Sequence, residues 1–167
     1  VYTSDHGEML GEHGLWQKFV FYEPSVGVPL IFRVPRLTAR NQRCATPVSL
    51  VQLFPTLCEL CGVSVPPGLD GASLLPGLAE PAETRDTSVF SEFDLGTPQA
   101  KYMLRRGHFK YTFYANDAAE LYDLAADPDE MKNLAQLPKY ERQVRAMKAE
   151  LFKWHTPDAI EAPRKLS

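Results

Sequence analysis

Apolar positions along the 167 residues fall into two textures. In the first half they form short continuous runs between stretches rich in glycine and proline. Val1-Tyr2-Thr3 reads as the end of a β-strand, and residues 4–18 have the composition of a loop that follows one. Val28-Pro29-Leu30-Ile31-Phe32-Arg33-Val34, closed by Pro35, is nearly all apolar and predicts a strand buried on both faces, as in a parallel sheet. Residues 36–45 are polar and basic and predict a surface loop. Ser49, with Gln52 three residues on, predicts a capped helix start. Leu50, Leu53, Phe54, Leu57, Leu60 and Cys61 then recur at helical spacing, and Gly62 supplies the stop. Pro55 conflicts with a helix interior, so a kink or a later start is expected. Residues 63–86 read as connecting loop, with a short turn at Ala72–Leu75.

In the second half the apolar positions alternate. Ser88–Phe93, Tyr102–Arg106, Phe109–Tyr114 and Glu120–Leu124 predict four short strands in sequence, hence an antiparallel sheet, with Gly107-His108 as a tight turn. Phe109, Tyr111 and Phe113 alternate with Lys110, Thr112 and Tyr114, the pattern of a half-buried strand. Tyr140, Val144, Met147, Leu151 and Trp154 line one face of a helix over Pro138–His155. One helix on a four-stranded sheet makes a small α+β layer. The expected organisation is α/β: residues 1–84 as the C-terminal part of a larger α/β domain and residues 85–167 as a small subdomain, with the boundary near 80–86.

Charge and composition narrow the classes. Lys+Arg number 18 and Asp+Glu 21, a formal net charge of −3, with 44% hydrophobic and 23% charged residues. That is globular composition, and it supplies no global attraction to nucleic acid or an anionic membrane. No apolar run is long enough for a transmembrane helix. Cys44, Cys58 and Cys61 are too few for a disulfide framework, and Cys58-Glu59-Leu60-Cys61 reads as helix packing rather than zinc, which needs about four protein ligands. Arg36, Arg40, Arg43, Lys101, Arg105 and Arg106 could guide an anionic substrate, although such residues more often form ordinary solvated surface. A chain that opens inside a strand is expected to be a fragment.

The densest reactive cluster is Ser4-Asp5-His6-Gly7-Glu8 through Gly11-Glu12-His13-Gly14-Leu15-Trp16-Gln17-Lys18. It follows a strand, where open α/β sheets bind ligands. Asp5 and His6 offer a carboxylate and an imidazole, half of a shell for a divalent metal, and Lys18 offers a mobile cation for an oxyanion. The bland alternative is a loop whose glycines mark turns and whose Asp and His are incidental.

The run Thr3–Lys18, followed by Val28-Pro29-Leu30-Ile31, resembles the sulfatase family of the alkaline-phosphatase superfamily, nearest the branch of choline-sulfatase-like, iduronate-2-sulfatase-like and phosphonate monoester hydrolase enzymes. Val48–Leu57, Gly68-Leu69-Asp70-Gly71-Ala72-Ser73-Leu74-Leu75, Arg105–Tyr111, Glu120–Leu124, and Asp127-Pro128 with Glu130 to Asn133-Leu134-Ala135 continue it in order. The resemblance implies the C-terminal part of an alkaline-phosphatase-like α/β sandwich, then the small antiparallel sheet and helix. It implies that Asp5 and His6 are metal ligands and that Lys18 contacts the sulfate oxygens and the nucleophile. His13 shapes the loop by hydrogen bonding, and Glu8 and Glu12 are loop or solvent carboxylates. The implied metal is calcium first, with manganese or magnesium as alternatives. The implied nucleophile is a formylglycine made in a Cys/Ser-x-Pro-x-Arg motif. No cysteine or serine here lies in that motif, and the family's early Asp-Asp pair is absent. The expected partner is therefore an N-terminal half of the same protein, the expected substrate an anionic sulfate ester, and this piece alone is expected to be inactive. The rivals are a phosphonate monoester or phosphodiester hydrolase and a non-catalytic processed subunit or association module.

Overall fold

The structure is a computed structural model and describes residues 1–38, 41–79 and 86–154. The expected boundary near 80–86 and the terminal His155 fall largely or wholly outside these residues. Four strands, β3 (Ser88–Phe93), β4 (Lys101–Arg106), β5 (Phe109–Tyr114) and β6 (Glu120–Asp123), pair antiparallel in chain order. Gly107, at φ 56°, makes the tight turn between β4 and β5, where a left-handed residue is cheapest as glycine. Asn133 finishes the β6 edge, since its side-chain oxygen accepts the Leu121 amide at 3.1 Å while the Leu134 amide donates to the Leu121 carbonyl at 2.8 Å. Pairing groups left open on an edge strand would otherwise invite association.

The α/β organisation expected from the sequence is present, with one large difference in how the sheet is used. Its first face carries Tyr102, Leu104, Tyr111 and Leu121, all buried, against Met147 and Leu151 of α4 (Glu141–Trp154). Phe113 and Phe152 meet edge-on with ring centroids 5.3 Å apart. The second face is covered too. Lys110 and Thr112 are as buried as Tyr111, so the half-buried reading of that strand is corrected. Residues 19–25 supply the cover: Phe19 lies against Phe93, Tyr22 against Tyr122, and Glu23 against Arg105 and Lys110. A period of two identifies the two faces but not whether a distant segment returns over the polar one.

The N-terminal portion departs further from expectation. β1 (Tyr2–Thr3) pairs antiparallel with β2 (Leu30–Ile31), and Ile31 is exposed. Val28–Val34 is therefore not a doubly buried strand here, because nothing among the described residues packs on its outer side. Between these strands α1 (Glu23–Val26) begins at Glu23-Pro24, a helix start the sequence reading did not use. The capping box at Ser49 and Gln52 is formed, with the Ser49 amide donating to Gln52 Oε1 at 2.8 Å. A 3-10 turn at Leu50–Gln52 leads into α2 (Leu53–Leu60), so Pro55 sits in the first turn, where its missing N–H costs no helical bond. The buried side of α2 is Pro55, Thr56 and Cys58, while Phe54, Leu57 and Cys61 are exposed. The apolar stripe and the placement of Cys61 in the core are thus corrected. The turn expected at Ala72–Leu75 is instead the approach to α3 (Leu75–Ala79), begun by Ser73, whose Oγ accepts the Leu75 amide at 3.1 Å. No helix among the described residues is long and apolar enough to cross a membrane.

Candidate active site

The loop after β1 folds back on itself because five residues between Leu10 and Gln17 adopt left-handed backbone. Leu10, Gly11, His13, Gly14 and Gln17 have φ of 48°, 97°, 52°, 70° and 71°. The Met9 amide reaches the Gln17 carbonyl at 3.1 Å and the Gly11 amide the Leu15 carbonyl at 2.9 Å. Met9, fully buried, anchors the base of the loop. The reversal returns Lys18 to the side of residues 5–8.

Asp5, His6 and Lys18 are brought together there. The His6 Nε2 lies 3.6 Å from Asp5 Oδ2, and the Lys18 ammonium contacts the same nitrogen. The other ring nitrogen, Nδ1, is 2.7 Å from the Gly7 carbonyl. A carbonyl only accepts, so Nδ1 carries the proton and Nε2 presents a lone pair. The Asp5 carboxyl is held below its ordinary value, chiefly by the neighbouring His6 ring. Asp5 and Lys18 are exposed and His6 is partly so, which leaves the group accessible from solvent.

With Lys18 turned aside, the electron pair on His6 Nε2 and the Asp5 carboxylate facing it would suit a cation between them. Their spacing lies within what two metal–ligand bonds of about 2.0–2.6 Å can bridge. Among the described residues no third His, Cys, Asp or Glu joins them. The donors therefore fit a divalent ion but form only part of its shell.

Behind the trio stands α1. The Gly7 amide donates to the Ser25 carbonyl at 2.8 Å and the Glu8 amide to the Pro24 carbonyl at 2.9 Å. The buried Ser25 hydroxyl donates to the Lys18 carbonyl at 2.8 Å. The helix is tied in turn to the sheet. The Lys110 ammonium, 1% exposed, lies 2.9 Å from Glu23 Oε1 and 2.6 Å from Glu130 Oε1. Arg105 holds the Glu23 carboxylate at 3.2 Å, and Glu130 Oε2 accepts the Glu23 amide at 2.6 Å. Burial pushes the Glu130 carboxyl above its ordinary value, against the pull of Lys110.

His13 lies flat on Tyr22, with ring centroids 4.0 Å apart, and its Nε2 is 3.0 Å from the Asp129 carbonyl. It thereby joins the loop to the C-terminal portion. Glu12 is exposed and Glu8 partly buried, and Trp16 is exposed. Of the basic residues expected to guide an anion, Lys101 bonds the Phe19 carbonyl, Arg105 pairs with Glu23, and Arg106 pairs with Asp86 and Glu150. Arg36 and Arg43 are exposed, and Arg40 lies outside the described residues.

Ser25, Glu23, Lys110 and Glu130 were not singled out from sequence. Lys110 gave no sign of burial in the sequence, because it alternates with Phe109 and Tyr111 and so falls on the strand's polar face, and its partners lie far away along the chain.

Comparison with known proteins bears on the family and the fold. The family described as "N-sulphoglucosamine sulphohydrolase, C-terminal" matches residues 11–156. The chain belongs to this sulfatase family. It is 41% identical over 146 residues to arylsulfatase K of Mus musculus, covering 81% of this chain and 26% of that protein. It is 40% identical over 143 residues to choline-sulfatase of Rhizobium meliloti, covering 83% of this chain and 27% of that protein. The sulfatase chain thus spans about a quarter of the length of the curated relatives it matches. Among solved structures, BT4656 in complex with its substrate D-glucosamine-2-N,6-O-disulfate superposes with a TM-score of 0.83 at 31% identity, over 96% of this chain and 35% of that one. The phosphonate monoester hydrolase of Agrobacterium radiobacter gives 0.72 at 31% identity, over 90% and 33%.

Proposed function

We propose that the whole protein hydrolyses sulfate esters and that this chain contributes one side of the active site. The convergence of Asp5, His6 and Lys18 on the His6 Nε2 carries the reading, supported by relatives named as sulfatases. Asp5 and His6 would hold a divalent metal, calcium first and manganese or magnesium next. Such an ion supplies Lewis-acid stabilisation of charge on the ester's oxygens. Lys18 binds a sulfate oxygen as a point charge, and the Gly7 carbonyl, by accepting a hydrogen bond from Nδ1–H, would keep the His6 Nε2 lone pair available to the metal. The nucleophile, a formylglycine in the resemblance, would come from sequence outside these 167 residues, and this chain by itself would not turn over.

A second reading is hydrolysis of phosphonate monoesters, favoured by the superposition on the Agrobacterium enzyme. Sulfate and phosphonate esters are both tetrahedral anions, and the trio serves either. The full-length protein, assayed side by side on an aryl sulfate and phenyl phosphonate with each metal, separates them. Preference for the sulfate, and a loss on Lys18→Ala of roughly a hundredfold in kcat/KM, is expected. Preference for the phosphonate installs the second reading, and turnover of neither sinks both.

A further inference from the structure

We propose that Glu130 is a positioning residue for Lys18 and His6, acting through Lys110, Glu23 and Ser25, so that the C-terminal sheet sets the geometry of the site's loop. The inference rests on the sulfatase reading for its consequence in turnover, but its structural basis is independent.

The path is short and continuous. Glu130 Oε2 accepts the amide of Glu23, the first residue of α1. Two residues on, the Ser25 hydroxyl holds the Lys18 carbonyl at 2.8 Å, and the Ser25 carbonyl holds the amide of Gly7, next to His6. One buried carboxylate therefore fixes the start of a single-turn helix whose Ser25 holds both sides of the site. Displacement of α1 would take with it the backbone seats of both Lys18 and Gly7.

The network is built for direction as well as cohesion. Two carboxylates, Glu23 and Glu130, face two cations, Lys110 and Arg105, and the side chains of both Lys110 and Glu130 are 1% exposed. An apolar cluster of similar volume could join sheet and loop at no greater desolvation cost. It would not specify one orientation of α1, whereas a hydrogen bond to a named amide and two ion pairs do. Glu130 takes a left-handed φ of 54°, which a non-glycine residue adopts only when its surroundings impose it. Asp127 imposes it here, its carbonyl accepting the Glu130 amide at 3.1 Å and its carboxylate the amides of Met131 and Lys132. The turn aims Glu130 at α1.

The test uses the full-length protein with Glu130→Gln, Ser25→Ala and the double variant, read by kcat/KM on an aryl sulfate and by the ring-nitrogen resonances of His6. Positioning predicts a loss of roughly ten- to hundredfold in kcat/KM for each single variant at a temperature where both are folded. The double variant should be no worse than the poorer single one, because both act on one path. The His6 resonances should move in each. A folded Glu130→Gln protein with a lowered melting temperature but unchanged kcat/KM and His6 resonances overturns the proposal, as do losses that multiply in the double variant. If Glu130→Gln does not fold, Arg105→Gln at the partly exposed rim of the network is read in its place by the same criteria. Absence of turnover in the unsubstituted protein would retire the sulfatase reading alone, since the His6 resonances report positioning without turnover.

Discussion

Gly7 lies directly against the Pro24 carbonyl: a β-carbon at Gly7 would stand 1.9 Å from that oxygen. The contact is backbone on backbone, so no flexible side-chain tip can yield. It also coincides with the hydrogen bond from Gly7 to Ser25 that seats the site loop on α1. Glycine is required at this position by space, since its φ is not in the left-handed region.

Gly7→Ala is therefore expected to push the loop off α1. Overpacking of a tight site costs about 1–3 kcal/mol, visible as a lowered melting temperature, and His6 and Lys18 should lose their contact. A melting temperature and His6 resonances equal to those of the parent protein would show that the loop does not rest on α1.

Leu151 is fully buried on α4 between the sheet's aromatic residues, and Trp154, one turn on, is 58% exposed although it touches Phe90. Both belong to the same sequence stripe. Leu151→Ala should cost about 2–5 kcal/mol, and Trp154→Ala clearly less, since most of its ring already meets water. Chemical denaturation of both variants checks the order, and equal losses would mean that the helix is rotated relative to this structure.

This contrast shows what local pattern carries and what it does not. The four strands, the Gly107 turn and the stripe of α4 are set by residues within a few positions of one another, so they were legible. The capping box at Ser49 and Gln52 was legible for the same reason. Burial of Lys110 was not, because its partner Glu23 lies 87 residues away and Glu130 meets the Glu23 amide across 107. Asp5, His6 and Lys18 could be grouped because one loop carries all three. The device behind them is assembled from α1, two strands and a distant turn, and no spacing rule joins those. The exposure of Ile31 and of Phe54 and Leu57 has the same origin in reverse: apolar pattern reports a need for cover without naming what covers it.

Thr56 is fully buried on α2, where its hydroxyl donates to the Gln52 carbonyl and accepts the Leu74 amide at 2.8 Å. It joins the helix to the approach of α3. Thr56→Val keeps the shape and leaves the Leu74 amide unpaired, a loss of about 1–3 kcal/mol. Thr56→Ser keeps the hydroxyl and should recover most of it. Denaturation of the two variants decides, and a valine protein as stable as the serine one would show that the amide finds another partner.

Alkaline pH probes the sheet as a whole. Burial pushes the Tyr111 phenol up to about 12 from an ordinary 10.0. Tyr22, Tyr114 and Tyr122 are raised as well, each first by burial, with Glu120 adding to all three. A folded-state pKa above the unfolded one means that the fold favours the neutral phenol. The stabilisation is fully present below about pH 10 and is lost as pH rises through the folded-state values. Phenolate absorbance should therefore show these four tyrosines still protonated until the fold opens. Unfolding followed by circular dichroism should begin above pH 10 and coincide with the late phenolate step. If these four ionised together near 10 in a protein that stayed folded, Tyr111 and its neighbours could not be enclosed between α4 and residues 19–25, and the two-sided cover of the sheet would have to be abandoned.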